Sequence, residues 1–536
     1  MHALMMLKRK YIQGIFSGEI KNMTKTESNK SVSGNKRIFK NTMFLYLRMF
    51  FGLIVSLYTC RVILEVLGVV DYGISSVVGG FVLMFGFLNN TLSSSLQRFY
   101  NSEDIKENGF QIIYNVGLVI HIVIAVVLFI LLETFGLWYV NNIMVVPENR
   151  LFATNIVYQS SVLSMVLILL QIPYSGAIMA KERMDYFAWV GIFDVISRLL
   201  FVFVLPYMPI DKLLSYAGFS LLISIINFIL YFVYCRRNFN EIKLYRVRDK
   251  HYYKEILSFS GWNLLGTFAW MLKGQGLNMM LNVFFGPVIN AARAIAYQIN
   301  TAISNFSNYM VTAFRPQLVT SYAENDHKRT RKLMFIESKA CVMLIALLVI
   351  PCIFEIDLVL HWWLGDNVPQ YTSIFAILIL IDQLINTMNM PLTQVIHAVG
   401  KMKQYQMVSS SINLIMLPLG WYLLHIGLEP VYVYIGMIAV SVIHQIACII
   451  VTNKIFYFGL KNYLCKIVLP SFELIFLLSF IPYFLSEVMS DSAFRLVLIV
   501  MYDILAAFFA GYYLMLNASE KIYVRNVLIK FLKINK

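Results

Sequence analysis

Three basic residues, Arg48, Lys273 and Arg293, lie inside long apolar segments and have no acidic residue within four positions. Keeping a charge at the centre of a membrane-spanning helix costs about 2.5–3.5 kcal/mol on insertion scales. Each of these side chains is therefore expected to face a cavity or a ligand that uses its charge. Arg98 and Arg315 each close a predicted span at one end, where a long side chain can also reach the membrane surface. Both roles stay open for these two residues.

Three other cations have a simpler explanation. Arg198 follows Asp194 by four residues and Arg61 precedes Glu65 by four, so each is predicted to form an ion pair along its own helix. Arg495 lies near the end of a predicted span, and its side chain is expected to extend toward water.

Two predicted spans carry polar residues along one face. At 100° per residue, those of the first fall within an arc of about 140°: Asn290, Arg293, Tyr297, Gln298, Thr301, Asn305, Asn308, Thr312 and Arg315. Those of the second recur at spacings of 4, 3, 4 and 4: Asp382, Asn386, Asn389, Thr393 and His397. Such a stripe indicates contact with water or a polar ligand, although hydrogen bonding between helices gives the same pattern.

Asp382 lies in the middle of its predicted span and has no basic residue within four positions. Two roles remain open for it. It neutralises a cation of the cavity, or it binds and releases a proton and is then the candidate for ion coupling.

The elements that hold these residues must be membrane-spanning helices, because the composition excludes a soluble protein. Apolar residues make up 59% of the chain and charged residues 14%, whereas soluble domains have about 45–50% and about 25%. The net charge of +15 then belongs to the loops, and no nucleic-acid partner is expected. The scattered cysteines and histidines form no metal-binding motif, and no phosphate-binding loop occurs. We therefore expect no metal, no cofactor and no catalytic residue.

Apolar stretches of about 20 residues predict an all-α polytopic membrane protein with fourteen spans. They lie near 42–67, 72–98, 111–133, 151–179, 187–207, 213–234, 256–282, 287–318, 338–356, 369–396, 405–425, 431–452, 467–486 and 494–516. The ninth and the thirteenth are the weakest, so twelve spans remain an alternative.

The loop charges predict the orientation, because Lys and Arg collect in cytoplasmic loops. With the N-terminus inside, the inner loops and tails hold 34 of these residues, whereas the outer loops hold only Arg150 and Lys212. Both termini are therefore predicted to be cytoplasmic.

The largest inner loop divides the chain into halves. The predicted parts are a disordered basic tail at 1–40, an N-lobe of six spans at 41–234, an inter-lobe loop at 235–255, a C-lobe of six spans at 256–452, two further spans at 467–516 and a basic tail at 517–536. Arg98 and Arg315 follow Gly68 and Gly286 by 30 and 29 residues. This faint repeat is typical of transporters with duplicated halves around a central site.

Several segments resemble the polysaccharide flippases of bacteria, the Wzx-type members of the multidrug/oligosaccharidyl-lipid/polysaccharide exporter superfamily. They are 41–49, 58–62, 67–74, 97–99, 172–174, 282–287, 291–293 and 315–317. The resemblance implies two six-helix lobes around a central cavity, followed by two extra helices. It also implies rocker-switch transport of an undecaprenyl-diphosphate-linked oligosaccharide across the cytoplasmic membrane. Members commonly line the cavity with cations, which matches Arg48, Lys273 and Arg293 by position.

The expected chemistry follows from both arguments. Arg and Lys side chains can hold a diphosphate away from lipid, while the Asn, Gln and Thr stripes meet sugar hydroxyls and the prenyl tail stays in the bilayer. The expected partners are the lipid-linked substrate, membrane lipids, and a polysaccharide polymerase with its chain-length regulator. The protein itself is expected to be a monomer.

Two other classes remain as alternatives. A drug/cation antiporter of the same superfamily should place unpaired carboxylates in the N-lobe cavity, where this chain places cations. A membrane-embedded polymerase or glycosyltransferase usually needs a sizeable outer loop with catalytic groups, and the longest predicted outer loop, 134–150, is short.

Overall fold

The structure is a computed structural model. It describes residues 52–515 and 521, apart from 83, 87, 89–91, 93–95, 97–98, 101–108, 182, 240–241 and 246. The predicted tail 1–40 and the predicted cavity residues Arg48 and Arg98 lie outside the described residues. The chain divides into two compact units, Met1–Tyr58 and Thr59–Lys536. What the structure describes of the first, 52–58, is helical, and the second is described below.

The first half of the chain contributes six helices of the bundle. They are α1 (Gly52–Val82), α2 (Gly109–Leu131), α3 (Leu137–Asn142), α4 (Leu151–Ala180), α5 (Met184–Val204) and α6 (Lys212–Asn238). A π-helical turn, Leu132–Gly136, joins α2 to α3, so that the helical backbone is continuous from Gly109 to Asn142. Their buried apolar residues form the core of the N-lobe.

The second half contributes the C-lobe and the C-terminal helices. They are α7 (Lys250–Phe285), α8 (Pro287–Ala323), α9 (His327–Phe354), α10 (Ile356–Leu364), α11 (Thr372–Thr387), α12 (Met390–Val399), α13 (Met402–His425), α14 (Pro430–Ile455), α15 (Leu460–Tyr463), α16 (Leu469–Val488) and α17 (Ala493–Ala510). A second apolar core lies in this lobe. Helices α16 and α17 pack against α9, which adds the two extra helices to the C-lobe.

The helix lengths agree with a polytopic protein. In the described residues, eleven helices are long and apolar enough to cross a membrane. Helices α7 and α8 are longer still, at 36 and 37 residues, but they are more polar because they carry cavity residues. The ninth and thirteenth predicted spans, the weakest of the fourteen, are both present among the eleven.

The tenth predicted span is interrupted. Helix α11 ends at Thr387 and α12 begins at Met390. Pro391 is the second residue of α12 and has no N–H, so a continuous ladder of backbone hydrogen bonds cannot pass through this point. The break places Asn389 in the turn between the two helices and Asn386 at the end of α11.

Gly68 and Gly286 occupy equivalent turns of the two halves. Both have φ of 75°, a left-handed conformation that residues with a Cβ adopt only under strain. Gly286 separates α7 from α8, and Gly68 lies in α1 at the predicted boundary between the first two spans. The shared positive φ agrees with the internal repeat that the sequence suggested.

The helices alternate in direction and give the bundle two different ends. We call the end with the loops 181–183, 239–249, 324–326, 400–401 and 456–459 the basic end, and the end with the loops 143–150, 205–211, 365–371 and 426–429 the far end. The α10 segment also lies at the far end. There Arg150 pairs with Asp71 and with Asp211, which ties three N-lobe segments together. Asp211 also caps α6, and the hydrogen bonds from Arg150 hold the pKa of its carboxyl below the usual range.

The ion pairs confirm one prediction and correct two. Arg198 pairs with Asp194 along α5, as predicted. The predicted pairing of Arg61 with Glu65 is wrong, because Arg61 Nη1 instead donates to the carbonyl of Trp362 at 3.4 Å. Arg495 does not extend toward water.

Arg495 is 4% exposed and binds both carboxylate oxygens of Glu355, at 2.5 and 2.9 Å. It also pairs with Asp491, and its Nη1 donates to the carbonyl of Met489. The acidic partner comes from a distant part of the sequence, so local spacing did not reveal it.

Candidate functional site

A cavity of about 1020 Å³ lies between the two lobes. Its wall on the C-lobe side comes from α7, α8, α11, α12, α13 and α14, and its wall on the N-lobe side from α1, α4, α5 and α6. Among them are α7, α8, α11 and α12, whose cations and polar stripes the sequence analysis singled out. The cavity is therefore the candidate site.

Two buried cations lie on the C-lobe wall. Lys273 is 9% exposed, and its ammonium donates to Asn413 Oδ1 at 3.1 Å. Arg293 is 6% exposed, donates from Nη2 to the carbonyl of Gly274 at 2.7 Å and lies 4.2 Å from the ring centroid of Tyr297. Its Nε has no hydrogen-bond partner among the described residues. Neither cation forms an ion pair with a described acidic residue, so both keep charge to offer a ligand.

Asp382 lines the same cavity from α11. Its Oδ2 accepts a hydrogen bond from Asn386 Nδ2 at 2.8 Å, whereas its Oδ1 is buried without a partner among the described residues. The carboxylate is close enough to Lys273 to interact with its charge but forms no ion pair with it within 4 Å. The carboxylate thus offsets part of the positive charge of this wall.

Amide and hydroxyl groups fill the space between the charges. Tyr405 donates to Asn389 Oδ1 at 2.8 Å and lies 2.9 Å from the hydroxyl of Thr393. Ser409 lies 2.8 Å from His444 Nε2. These neutral groups can exchange hydrogen bonds with a polar ligand without leaving a charge unpaired.

The N-lobe wall is rich in hydroxyl groups, which the sequence analysis missed. Seven serines of α1, α4 and α6 line it: Ser75, Ser76, Ser160, Ser161, Ser164, Ser220 and Ser224. Their helical spacing on otherwise apolar spans was the available signal. Arg198 also lines the cavity although it is paired with Asp194, and Trp270 lines it from α7.

Most of the predicted site residues that the structure describes come together in this cavity. Those that line it are Lys273, Arg293, Gln298, Thr301, Asn308, Asp382, Asn386 and Asn389. Asn305 and Arg315 are not among the lining residues. Arg315 instead donates from Nε to Gln394 Oε1 at 2.8 Å, and Gln394 is part of the wall. The paired position of Arg98 lies outside the described residues.

Three buried asparagines connect the two lobes toward the far end. Asn282 accepts a hydrogen bond from the backbone N–H of Val145 at 2.9 Å and donates to Asn290 Oδ1 at 3.0 Å. Asn290 in turn donates to Asn278 Oδ1 at 2.8 Å, and Asn278 donates to the carbonyl of Ser76 at 3.4 Å. All three asparagines are at most 1% exposed. We call Asn278, Asn282 and Asn290 the asparagine latch, since they join the C-lobe to the N-lobe.

Exposure of the polar residues increases along α8 from the far end toward the basic end. Asn290 and Arg293, near the far end, are buried, whereas Thr301, Asn308 and Thr312 are exposed. The polar stripe is therefore buried near the far end and exposed toward the basic end. Arg293 lies in its buried part.

Comparison with known proteins places the chain in a family and a fold. The profile of the family described as polysaccharide biosynthesis protein matches residues 38–322, more than half of the chain. No curated protein matches the chain in a sequence comparison.

The fold is shared with solved transporters at low sequence identity. The lipid II flippase MurJ in an inward closed conformation matches with a TM-score of 0.65 and 14% identity, over 91% of this chain and 100% of that one. An inward-facing multidrug resistance MATE family transporter of the MOP superfamily matches with a TM-score of 0.62 and 13% identity, over 76% and 96%. A MOP superfamily transporter from Pyrococcus furiosus, described as having a binding pocket of reverse polarity, matches with a TM-score of 0.52 and 14% identity, over 78% and 96%.

Proposed function

Since the chain belongs to the polysaccharide biosynthesis protein family, we propose that it is a flippase for undecaprenyl-diphosphate-linked oligosaccharides. It carries these units across the bacterial cytoplasmic membrane for the synthesis of a surface polysaccharide such as O-antigen, capsule or exopolysaccharide. The observation that carries the proposal is the pair of buried, unpaired cations, Lys273 and Arg293, in a polar cavity between two lobes.

The diphosphate is the part of the substrate that these cations hold. A guanidinium can bind phosphate oxygens with two parallel hydrogen bonds, and an ammonium adds a compact point charge. The free Nε of Arg293 and the neutral partners of both cations leave this capacity available to a ligand. Binding a dianion there replaces a buried excess of positive charge with ion pairs.

The remaining walls suit the oligosaccharide. Serine hydroxyls on the N-lobe wall and amides on the C-lobe wall can each donate and accept hydrogen bonds, as sugar hydroxyls do. They carry no charge, so they tolerate different sugars. The prenyl tail is apolar and would find no apolar partners along these polar walls, so it stays in the bilayer.

The buried far end and the exposed basic end of the polar stripe describe one state of a transport cycle. If the basic end faces the cytoplasm, as the loop charges predict, this state receives substrate from the inner leaflet. Opening the asparagine latch while the basic end closes then exposes the same cavity to the outer leaflet. We accordingly place both termini in the cytoplasm, with a polysaccharide polymerase and its chain-length regulator acting after release. The unit that carries out this cycle is the monomer.

A drug/cation antiporter is the second candidate, because MATE transporters share the fold and Asp382 supplies a carboxylate in the cavity. The described lining, however, holds two unpaired cations, Lys273 and Arg293, against this one carboxylate, since Arg198 is paired with Asp194. That balance favours an anionic substrate over a cationic one.

The decisive experiment compares two substrates in proteoliposomes that contain the purified full-length protein. One is an undecaprenyl-diphosphate oligosaccharide, and its matched control carries the same sugar on a monophosphate. A membrane-impermeant sugar-specific lectin measures how much lipid reaches the outer surface. We expect protein-dependent translocation of the diphosphate and much less of the monophosphate. Proton- or sodium-driven uptake of a cationic dye without lipid translocation would overturn the proposal in favour of the antiporter.

A further inference from the structure

Glu337 is a buried carboxyl group outside the cavity that the proposed transport of lipid does not use. It lies on α9 and is 0% exposed, and neither of its carboxylate oxygens has a hydrogen-bond partner among the described residues. An ionised carboxylate in such a place costs several kcal/mol. The neutral acid is the form that this packing accommodates.

The surroundings of Glu337 explain its isolation. Met334, one turn before it, belongs to an apolar cluster at the basic end of the C-lobe, together with Leu318, Leu392 and Tyr463. The hydroxyl of Tyr463 is directed elsewhere, since it donates to the carbonyl of Met388 at 3.3 Å. No described side chain of this cluster therefore forms a hydrogen bond with the Glu337 carboxyl.

One cation, Arg315, lies on α8, which packs against α9. The charge of Arg315 acts on the Glu337 carboxyl, although no ion pair joins the two residues. Arg315 donates a hydrogen bond from Nε to Gln394 Oε1 at 2.8 Å, and Gln394 lines the cavity. The other titratable groups that act on this carboxyl, or on Arg315, are Cys341 on α9, His397 on α12 and Tyr463 on α15.

We propose that Glu337 is a proton-binding site and that Arg315 switches between two partners according to its state. With the proton bound, Glu337 is neutral and Arg315 remains hydrogen-bonded to Gln394, as observed. When the proton leaves to water at the basic end, the carboxylate attracts the guanidinium, and Arg315 leaves Gln394 to form an ion pair with Glu337. The wall of the cavity then loses one of its hydrogen bonds.

The switch links α9 to the cavity through one side chain. Helices α8 and α9 pack closely, and α12, which carries Gln394, packs on α8. Movement of one guanidinium between α9 and α12 therefore changes which helices are tied together at the basic end. This gives the protein a proton-dependent element that is separate from Asp382 and from the cations that hold the ligand.

Infrared spectroscopy of the purified full-length protein tests the protonation directly. A neutral carboxylic acid has a carbonyl-stretch band that a carboxylate lacks. We expect wild-type protein to show such a band from a site inaccessible to water, and Glu337→Gln to lack that component. Asp503→Asn is the matched control, because Asp503 on α17 is equally buried and both its oxygens also lack a partner. Its replacement should leave the Glu337 component in place.

Thermal unfolding supplies the second readout. Between about pH 6 and 9, the range in which buried carboxyls can titrate, the midpoint of the wild type should fall relative to that of Glu337→Gln. The reason is that the unfolded wild type releases this proton at lower pH than the folded protein does, so rising pH favours unfolding, whereas Glu337→Gln has no such proton. Arg315→Gln should extend this fall to higher pH, since the folded carboxylate then has no partner to gain and the proton is retained longer.

Two results would overturn the proposal. One is an unchanged infrared spectrum and an unchanged pH profile in Glu337→Gln. The other is a shift that depends on sodium at constant pH, which would assign the site to a metal cation. Neither readout involves transport, so both stand apart from a failure of the flippase proposal.

Discussion

The buried cations of this protein differ in how their charge is balanced. Arg495 is matched by a carboxylate that holds it with two hydrogen bonds. Lys273 and Arg293 have only neutral partners, an amide and a backbone carbonyl. The first arrangement stabilises the fold, whereas the second leaves a charge available, and the two predict opposite effects of substitution.

The Arg495 pair should be a stability element. Removing one partner of a buried ion pair typically costs about 3–5 kcal/mol because the other charge is left unpaired. We expect Glu355→Gln and Arg495→Met each to lower the thermal unfolding midpoint of the purified protein markedly. The double variant should lose less than the sum of the two. Transport per folded molecule should stay near the parent level, and a selective loss of transport would contradict this assignment.

Asp382 tests the coupling role that the sequence left open. Asp382→Asn preserves size and hydrogen bonding to Asn386 but removes titration. If the carboxyl couples transport to protons, the variant should fold normally but transport poorly or with an altered pH dependence. Transport that matches the parent between about pH 6 and 8 would assign Asp382 to charge balance beside Lys273.

Individual site residues could be predicted where burial in a span made them costly. Lys273, Arg293 and Asp382 stood out because charge in an apolar segment needs a reason, and all three line one cavity. The serines did not stand out, since a hydroxyl costs little in a helix where it can bond to the backbone. The partner of Arg495 was missed because Glu355 is distant in sequence and adjacent only after folding.

At the level of helices, the asparagine latch is the contact that must break for the far end to open. Asn282 makes two of its hydrogen bonds, one to the backbone N–H of Val145 and one to Asn290, and its side chain is fully buried. Because each bond contributes only about 1 kcal/mol net, the latch can be opened by the binding energy of a ligand. Its loss should shift the conformational equilibrium without unfolding the protein.

Asn282→Ala should raise access to the cavity from the far side. In a cysteine-free background, Gln275→Cys places a thiol in the lining, and an impermeant maleimide added at the far side reports access to it. We expect several-fold faster labelling with Asn282→Ala. Asn141→Ala is the control, since Asn141 bonds to Asn155 within the N-lobe. Equal labelling rates in the Gln275→Cys protein and in its Asn282→Ala and Asn141→Ala variants would show that the asparagine latch does not control access from the far side.

The helices themselves were largely predictable, whereas their interruptions were not. Runs of apolar residues gave the span positions, including the weak ninth and thirteenth. The break between α11 and α12 was not predicted, because the polar stripe from Asp382 to His397 continues past Pro391 as it would in an unbroken helix. The repeat at Gly68 and Gly286 was faint in the sequence. The structure adds that both glycines have the same positive φ.

For the whole molecule, the distribution of loop charges predicts how the bundle is oriented. Alkaline phosphatase fused after residue 140, 210 or 365 should be highly active, because these points lie in or next to far-end loops. Fusions after residue 245, 330 or 460 should be almost inactive. High activity after residue 245 would place the inter-lobe loop outside and reverse the proposed direction of transport.

The central claim is that Lys273 and Arg293 hold the diphosphate of the substrate. Its most direct test is the amount of surface polysaccharide per quantity of monodisperse, detergent-stable protein in cells that depend on this chain. Lys273→Ala and Arg293→Ala should yield folded protein, since each removes an unpaired buried charge, yet the ratio should fall sharply while lipid-linked oligosaccharide accumulates on the inner leaflet. Arg293→Lys should restore part of it. A ratio equal to that of the parent in both alanine variants would contradict the account.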